Sequence, residues 1–216
     1  MAEYGHLVQG FTTNPTLMRR AGVEDYAAWG LDTAALVGDK SISFEVVTDD
    51  FHDMVCQALL IHEWGPNVFV KIPITNTEGK SSASVIRRLS KAGIKVNVTA
   101  ITTIRQIKDA IKALDKSAKA IISVFAGRIA DTGVNPRGTM RFAVKHTRPF
   151  RGFDVLWASP RQVLDIDFAE SCGVDIITVS KDILAKRQLK GRDLTEYSLD
   201  TVKQFYTDAT LSGYTL

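Results

Sequence analysis

Val68-Phe69-Val70-Lys71-Ile72-Pro73-Ile74-Thr75 sets one lysine in an otherwise apolar run. The run is short and nearly continuous in apolar character, as strands buried on both faces are. Burying a charged ammonium is costly, because desolvation favours the neutral amine. A neutral lysine amine in a pocket is a nucleophile that forms Schiff bases with carbonyl compounds. An unperturbed lysine, with a pKa of about 10.4, is neutral at pH 7 about once in a few thousand molecules. Lys71 is either such a nucleophile or a strand-end lysine whose amine reaches water; position alone leaves both open.

The same kind of run recurs at residues 7–12, 41–47, 95–99, 120–124, 154–157 and 175–179. Helical patterns lie between them at 49–63, 82–92, 103–114, 139–147, 159–172 and 180–186, with Gly93 and Gly173 reading as helix ends that feed the next strand. Alternating strands and helices imply a parallel sheet. At 216 residues the chain suits a TIM (β/α)8-type barrel, with an open doubly wound sheet as the alternative. The runs supply seven strands where a closed barrel has eight, and no strand and helix fit before Leu7. The expected fold is therefore a barrel lacking its first strand unit, filling residues 1–216 as one domain. A final helix over 198–209 carries Leu199, Val202, Phe205 and Tyr206 on one face, to cover the barrel, meet a neighbouring subunit or pack into the core.

Charge is nearly balanced, with 27 basic and 24 acidic residues and a net charge of +3. No basic run is dense enough for a nucleic-acid track, while a mild positive charge suits an anionic metabolite. Cys56 and Cys172 stand apart, with no CxxC spacing, as in reduced intracellular proteins. No signal-peptide anatomy and no membrane-length apolar run occur. A cytoplasmic protein with neither membrane nor nucleic-acid partner is expected. His6, His52, His62 and His146 show no metal-ligand spacing, so no metal is expected. Gly79-Lys80-Ser81 looks like the end of a P-loop, but Ile74 stands where its first glycine belongs.

Barrel enzymes work at the C-terminal ends of their strands, and polar residues gather there. Gly10-Phe11-Thr12-Thr13-Asn14-Pro15, Ser43-Phe44-Glu45-Val46-Val47, Asn97-Val98-Thr99 and Ser123-Val124-Phe125 each end a strand. Residues two apart share a face, so Asn97 pairs with Thr99, Ser123 with Phe125, and Thr12 with Asn14. Each residue also has a plain structural use. Thr99 and Ser123 can bond backbone, Asn14 can cap a helix before Pro15, and Glu45 can pair with an arginine.

Taken in order, Gly-Phe-Thr-Thr-Asn-Pro-Thr-Leu, Ser-Phe-Glu-Val, Phe-Val-Lys-Ile-Pro-Ile-Thr, Asn-Val-Thr-Ala-Ile and Ser-Val-Phe-Ala-Gly-Arg-Ile resemble the strand motifs of transaldolases. The resemblance is to the small, single-domain transaldolase and fructose-6-phosphate aldolase group, and it runs from about Gln9 to the C-terminus. It implies that Lys71 forms a Schiff base, that Glu45 and Thr99 position a proton-relaying water, and that Asn14, Asn97 and Ser123 hold dihydroxyacetone hydroxyls beside Thr12. It further implies that Arg128 and Ser159 bind phosphate. Arg161 either joins them or lies on a helix surface. No cofactor is implied; sugar phosphates are the substrates and a homo-oligomer is the expected assembly.

Glu45 and Phe125 stand where the fructose-6-phosphate aldolases carry Gln and Tyr. Phenylalanine cannot protonate the three-carbon unit, so the resemblance favours transfer over cleavage by an aldolase-type lyase. The family's first strand ends in an acid/base aspartate, whereas residues 1–7 contain Glu3 and no match. The chain is then either truncated or an impaired sugar-phosphate-binding relative.

Overall fold

Alternation along each strand divides the sheet into two faces of different chemistry. Ile42 and Phe44, Val68, Val70 and Ile72, and Val96 and Val98 lie buried in one apolar cluster with the helices. The opposite parity carries Ser43, Glu45, Phe69, Lys71, Asn97 and Thr99. In this computed structural model, which describes residues 4–215, the chain forms two compact units, Met1–Val179 and Ser180–Leu216. Glu3 lies outside the described residues.

The first unit holds seven parallel strands: β1 (Gly10–Thr12), β2 (Ser41–Glu45), β3 (Val68–Pro73), β4 (Val96–Ile101), β5 (Ala120–Val124), β6 (Phe153–Trp157) and β7 (Ile176–Ile177). Between them run α1 (Pro15–Arg20), α2 (Tyr26–Leu36), α3 (Phe51–His62), α4 (Ala83–Lys91), α5 (Ile104–Ala113), α6 (Ala126–Asp131), α7 (Arg137–Thr147) and α8 (Leu164–Ser171). Strand order follows sequence order from β1 to β7. A doubly wound sheet reverses its order partway; this one winds in a single direction, as a TIM barrel does.

The sheet is also curled. Neighbouring strands lie about 4.8 Å apart, yet the Asn97 amide on β4 reaches across β3 to donate to Ser43 Oγ on β2 at 3.1 Å. Phe69, Ile121, Leu156 and Ile176, from β3, β5, β6 and β7, form one cluster on the same concave side with Ala158, which follows β6. The fold is thus TIM-barrel-like, with seven strands among the described residues.

Several boundaries depart from expectation for local reasons. The first strand begins at Gly10, because Gly5–Leu7 is a 3-10 turn, and the last shortens to Ile176–Ile177. Helix α1 escapes notice because it has six residues, started by Pro15 and by Asn14, which accepts from Leu17 N at 2.8 Å. Helix α2 buries Gly30, Thr33 and Ala34, small residues that carry little apolar periodicity. Helix α8 starts at Leu164, after a loop in which Ser159 takes a left-handed φ of 61°.

The second unit comprises α9 (Lys181–Lys186), a 3-10 turn and α10 (Leu194–Ser212). Asp193 caps α10 by accepting from Thr195 N and Glu196 N at 2.8 and 3.0 Å, so the helix starts earlier than expected. Leu199, Val202, Phe205 and Tyr206 are all exposed. Among the described residues, no helix is long and apolar enough to cross a membrane.

Candidate active site

Strand register sets three side chains in one row. Glu45 pairs with Lys71 and Lys71 with Asn97, all on the concave parity. The Lys71 side chain is 8% exposed and points inward; its Nζ lies 3.1 Å from Glu45 Oε2 and donates to the Thr13 carbonyl at 2.8 Å. The amine does not reach bulk water. Glu45 is therefore paired to the lysine rather than to an arginine. Such a buried pair is costly to break from one side, because the remaining charge is left uncompensated.

Asn97 is held by both ends of its amide. It donates to Ser43 Oγ, and its Oδ1 accepts from Ser123 Oγ at 2.6 Å. Ser43, Asn97 and Ser123 are all buried, and the two hydroxyls satisfy both ends of the Asn97 amide. Thr99 follows Asn97 on the same face. It too is buried, and its Oγ1 has no hydrogen-bond partner among the described residues. The register of β4 shifts between Val98 and Ile101, with Ala100 at a φ of 61°. Bulges of this kind re-aim side chains beside active sites.

The end of β2 is anchored from behind. Tyr26 on α2 donates its hydroxyl to the Glu45 carbonyl at 2.7 Å. Burial pushes the Tyr26 phenol well above its usual range, so it remains a donor. Its ring stands edge-on to Trp64 at 5.4 Å and to Phe44 at 6.5 Å.

The remaining expected residues fall elsewhere. Asn14 is occupied as the α1 cap, and Thr12 is exposed at the end of β1. Phe125 packs on the concave apolar cluster of Ile121, Leu156 and Ala158. Arg128, exposed on α6, sets its guanidinium 5.6 Å from the Phe125 ring. Ser159 and Arg161 lie on the loop after β6. A Cβ on Gly127 would meet the Ser159 carbonyl oxygen at 1.5 Å, so glycine is what lets α6 approach that loop. Arg161 Nε donates to Asp131 Oδ1 at 3.0 Å, and its Nη2 donates to Asp131 Oδ2. The Arg161 hydrogen bonds hold the Asp131 carboxyl below the usual carboxylate range. Asp165 accepts from the Arg161 and Gln162 amides at 2.6 and 3.3 Å.

Thr13, Ser43, Tyr26 and Asp131 were not anticipated. Ser43 was within reach of the parity argument, being two residues before Glu45. Tyr26 and Asp131 lie on helices too weakly periodic or too short to be read. Among the described residues, no group of three or more His, Cys, Asp or Glu side chains is placed to hold a metal.

The chain is similar to several known proteins. A "Probable transaldolase" of Streptococcus agalactiae serotype V is 36% identical over 197 residues, covering 90% of this chain and 86% of its own. One of Dehalococcoides mccartyi is 34% identical over 180 residues, covering 82% and 79%. Among solved structures, KGPDC from Streptococcus mutans superposes with a TM-score of 0.55 at 15% identity, covering 86% of this chain and 87% of that one. That likeness bears on the fold alone. The profile of the Transaldolase/Fructose-6-phosphate aldolase family matches residues 2–213, and the chain belongs to that family.

Proposed function

We propose that the chain is a transaldolase, transferring a dihydroxyacetone unit between sugar phosphates through a Schiff base on Lys71. The supporting observation is the row of Glu45, Lys71 and Asn97, in which an inward-facing amine has a carboxylate at 3.1 Å and a fixed amide beside it. The Lys71 amine attacks the ketone carbon of the donor, and loss of water gives an iminium. The adjacent C–C bond breaks, its electron pair flowing to the iminium nitrogen, and the aldehyde half departs. The resulting enamine attacks the acceptor aldehyde, and water then releases the new ketose and the free amine. Glu45 takes and returns the protons, through a water that the otherwise unpartnered Thr99 hydroxyl also binds. Asn97, held by Ser43 and Ser123, orients the hydroxyls of the bound unit.

Sedoheptulose 7-phosphate or fructose 6-phosphate as donor, with an aldose phosphate as acceptor, fits the reading as a step of the pentose phosphate pathway. Phe125 on the concave cluster has no hydroxyl to protonate the enamine, which favours transfer over an aldolase-type cleavage. The test is product analysis with fructose 6-phosphate, with and without erythrose 4-phosphate. Transfer predicts sedoheptulose 7-phosphate when the acceptor is present and little free dihydroxyacetone when it is absent. Dihydroxyacetone released at the same rate in both would instead identify a lyase.

One observation favours a second reading, a sugar-phosphate binder with little turnover. Among the described residues that precede β1, residues 4–9, there is no carboxylate to serve as the acid for C–C cleavage. A binder would hold fructose 6-phosphate without forming products.

A further inference from the structure

We infer that Asp131 is a positioning residue for phosphate recognition, aiming the Arg161 guanidinium beside Arg128 at the phosphate of the sugar; this rests on the reading above. An arginine carries five N–H donors in a planar fork. Asp131 engages Arg161 from the side, through Nε and Nη2. The Nη1 donors and the outer Nη2 donor remain, and they form the edge that binds an anion end-on.

Without that contact Arg161 is a long side chain, 49% exposed, free to sample many rotamers. With it, the residue is fixed at both ends. Asp165 holds its backbone amide, and Asp131 holds its guanidinium plane. The frame around it is equally determined. Gly127 brings α6 against the loop, Gly127 N donates to the Ala158 carbonyl at 3.3 Å, and Ser159 turns the chain in a left-handed conformation. Two guanidinium groups, Arg128 and Arg161, meet two carboxylates here, and the Asp165 carboxylate is engaged by the backbone amides of Arg161 and Gln162. This corner adjoins the concave cluster through Phe125, whose ring lies 5.6 Å from the Arg128 guanidinium.

The test compares full-length wild type with Asp131→Ala, Asp131→Asn and Asp131→Glu. Inorganic phosphate binding, read by calorimetry, requires no chemistry at Lys71. The expected result is about tenfold weaker phosphate binding in Asp131→Ala, from loss of a charge-assisted pair, with partial recovery in Asp131→Glu. In turnover, KM for fructose 6-phosphate rises by a similar factor while kcat and the KM for unphosphorylated fructose hold. Should Asp131→Ala fail to fold, by circular dichroism, the Asp131→Asn variant carries the same comparison. Equal losses for phosphorylated and unphosphorylated sugars would reduce Asp131 to a structural role. Unchanged or tighter phosphate binding in the variants, or none in wild type, would overturn the inference; tighter binding would mark the carboxylate as a competitor of phosphate. Absence of a Lys71 adduct with dihydroxyacetone would instead defeat the Schiff-base reading and leave the phosphate measurement standing.

Discussion

Lys71 and Arg161 are both basic side chains gripped by a carboxylate, but the protein holds them by opposite means. Lys71 stands on a central strand with its side chain 8% exposed, and its neighbours are set by ladder register. Arg161 stands on a loop with its side chain 49% exposed, and its neighbours are set by a glycine contact, a left-handed serine and two aspartates. A strand delivers a side chain to a place fixed by pleat and register, which suits a covalent centre that must not wander. A loop delivers a charge whose aim depends on each local contact, which suits recognition of an exposed anion. The first arrangement concentrates its sensitivity in the reacting atom; the second spreads it over the residues that aim the arginine.

The largest effect follows from removing the strand-borne amine. Lys71→Met keeps the apolar stem and removes the nitrogen, and it should lower kcat/KM by at least about 10⁴-fold with far-UV circular dichroism unchanged. A folded variant that retains full activity breaks the assignment. Replacing its partner is milder. Glu45→Gln keeps the shape but removes the proton acceptor, and should lower kcat by about 10²–10³-fold while leaving KM for the phosphorylated donor nearly constant.

On the loop side, Gly127→Ala forces a methyl group into the Ser159 carbonyl. It should cost about 1–3 kcal/mol of stability and raise KM for phosphorylated donors more than it lowers kcat. Thermal unfolding with steady-state kinetics checks both; an effect on kcat alone would tie this corner to the chemistry instead.

The smallest effect lies on the concave face away from the reacting end. Burial, and then the charge of Asp175, raise the Asp154 carboxyl above its usual range. Its folded pKa exceeds the unfolded value of about 3.9, so the folded state binds the proton more tightly. Stability is then greatest below that unfolded value and declines as pH rises through the folded one. Asp154→Asn should raise Tm at pH 7 by at most about 2–4 °C, with the gain vanishing below about pH 4 and activity unchanged. Stability curves across pH read this directly.

The same contrast explains what could be read from the chain. Asn97, Thr99 and Ser123 were legible because parity along a strand is a rule of period two; Lys71 and Glu45 were legible as charged residues inside apolar runs, and all five fall on the concave parity. The parallel sheet was legible too, since alternating strands and helices imply one; its single winding direction was not, because a doubly wound sheet alternates in the same way. Asn14 carried two readings, and the cap on α1 is the one the structure displays. The partners of Arg161 were not legible. Asp131 ends a six-residue helix, too short to carry a period, and the contact it makes spans 30 residues. Thr13 acts through its backbone carbonyl, which no side-chain pattern reports.

The most direct test is borohydride reduction of the wild-type protein with dihydroxyacetone, followed by peptide mass mapping. The account predicts one stable adduct, located on Lys71, formed in proportion to lost activity and absent from Lys71→Met. A folded, substrate-binding protein that yields no adduct, or one modified at another lysine, would contradict it.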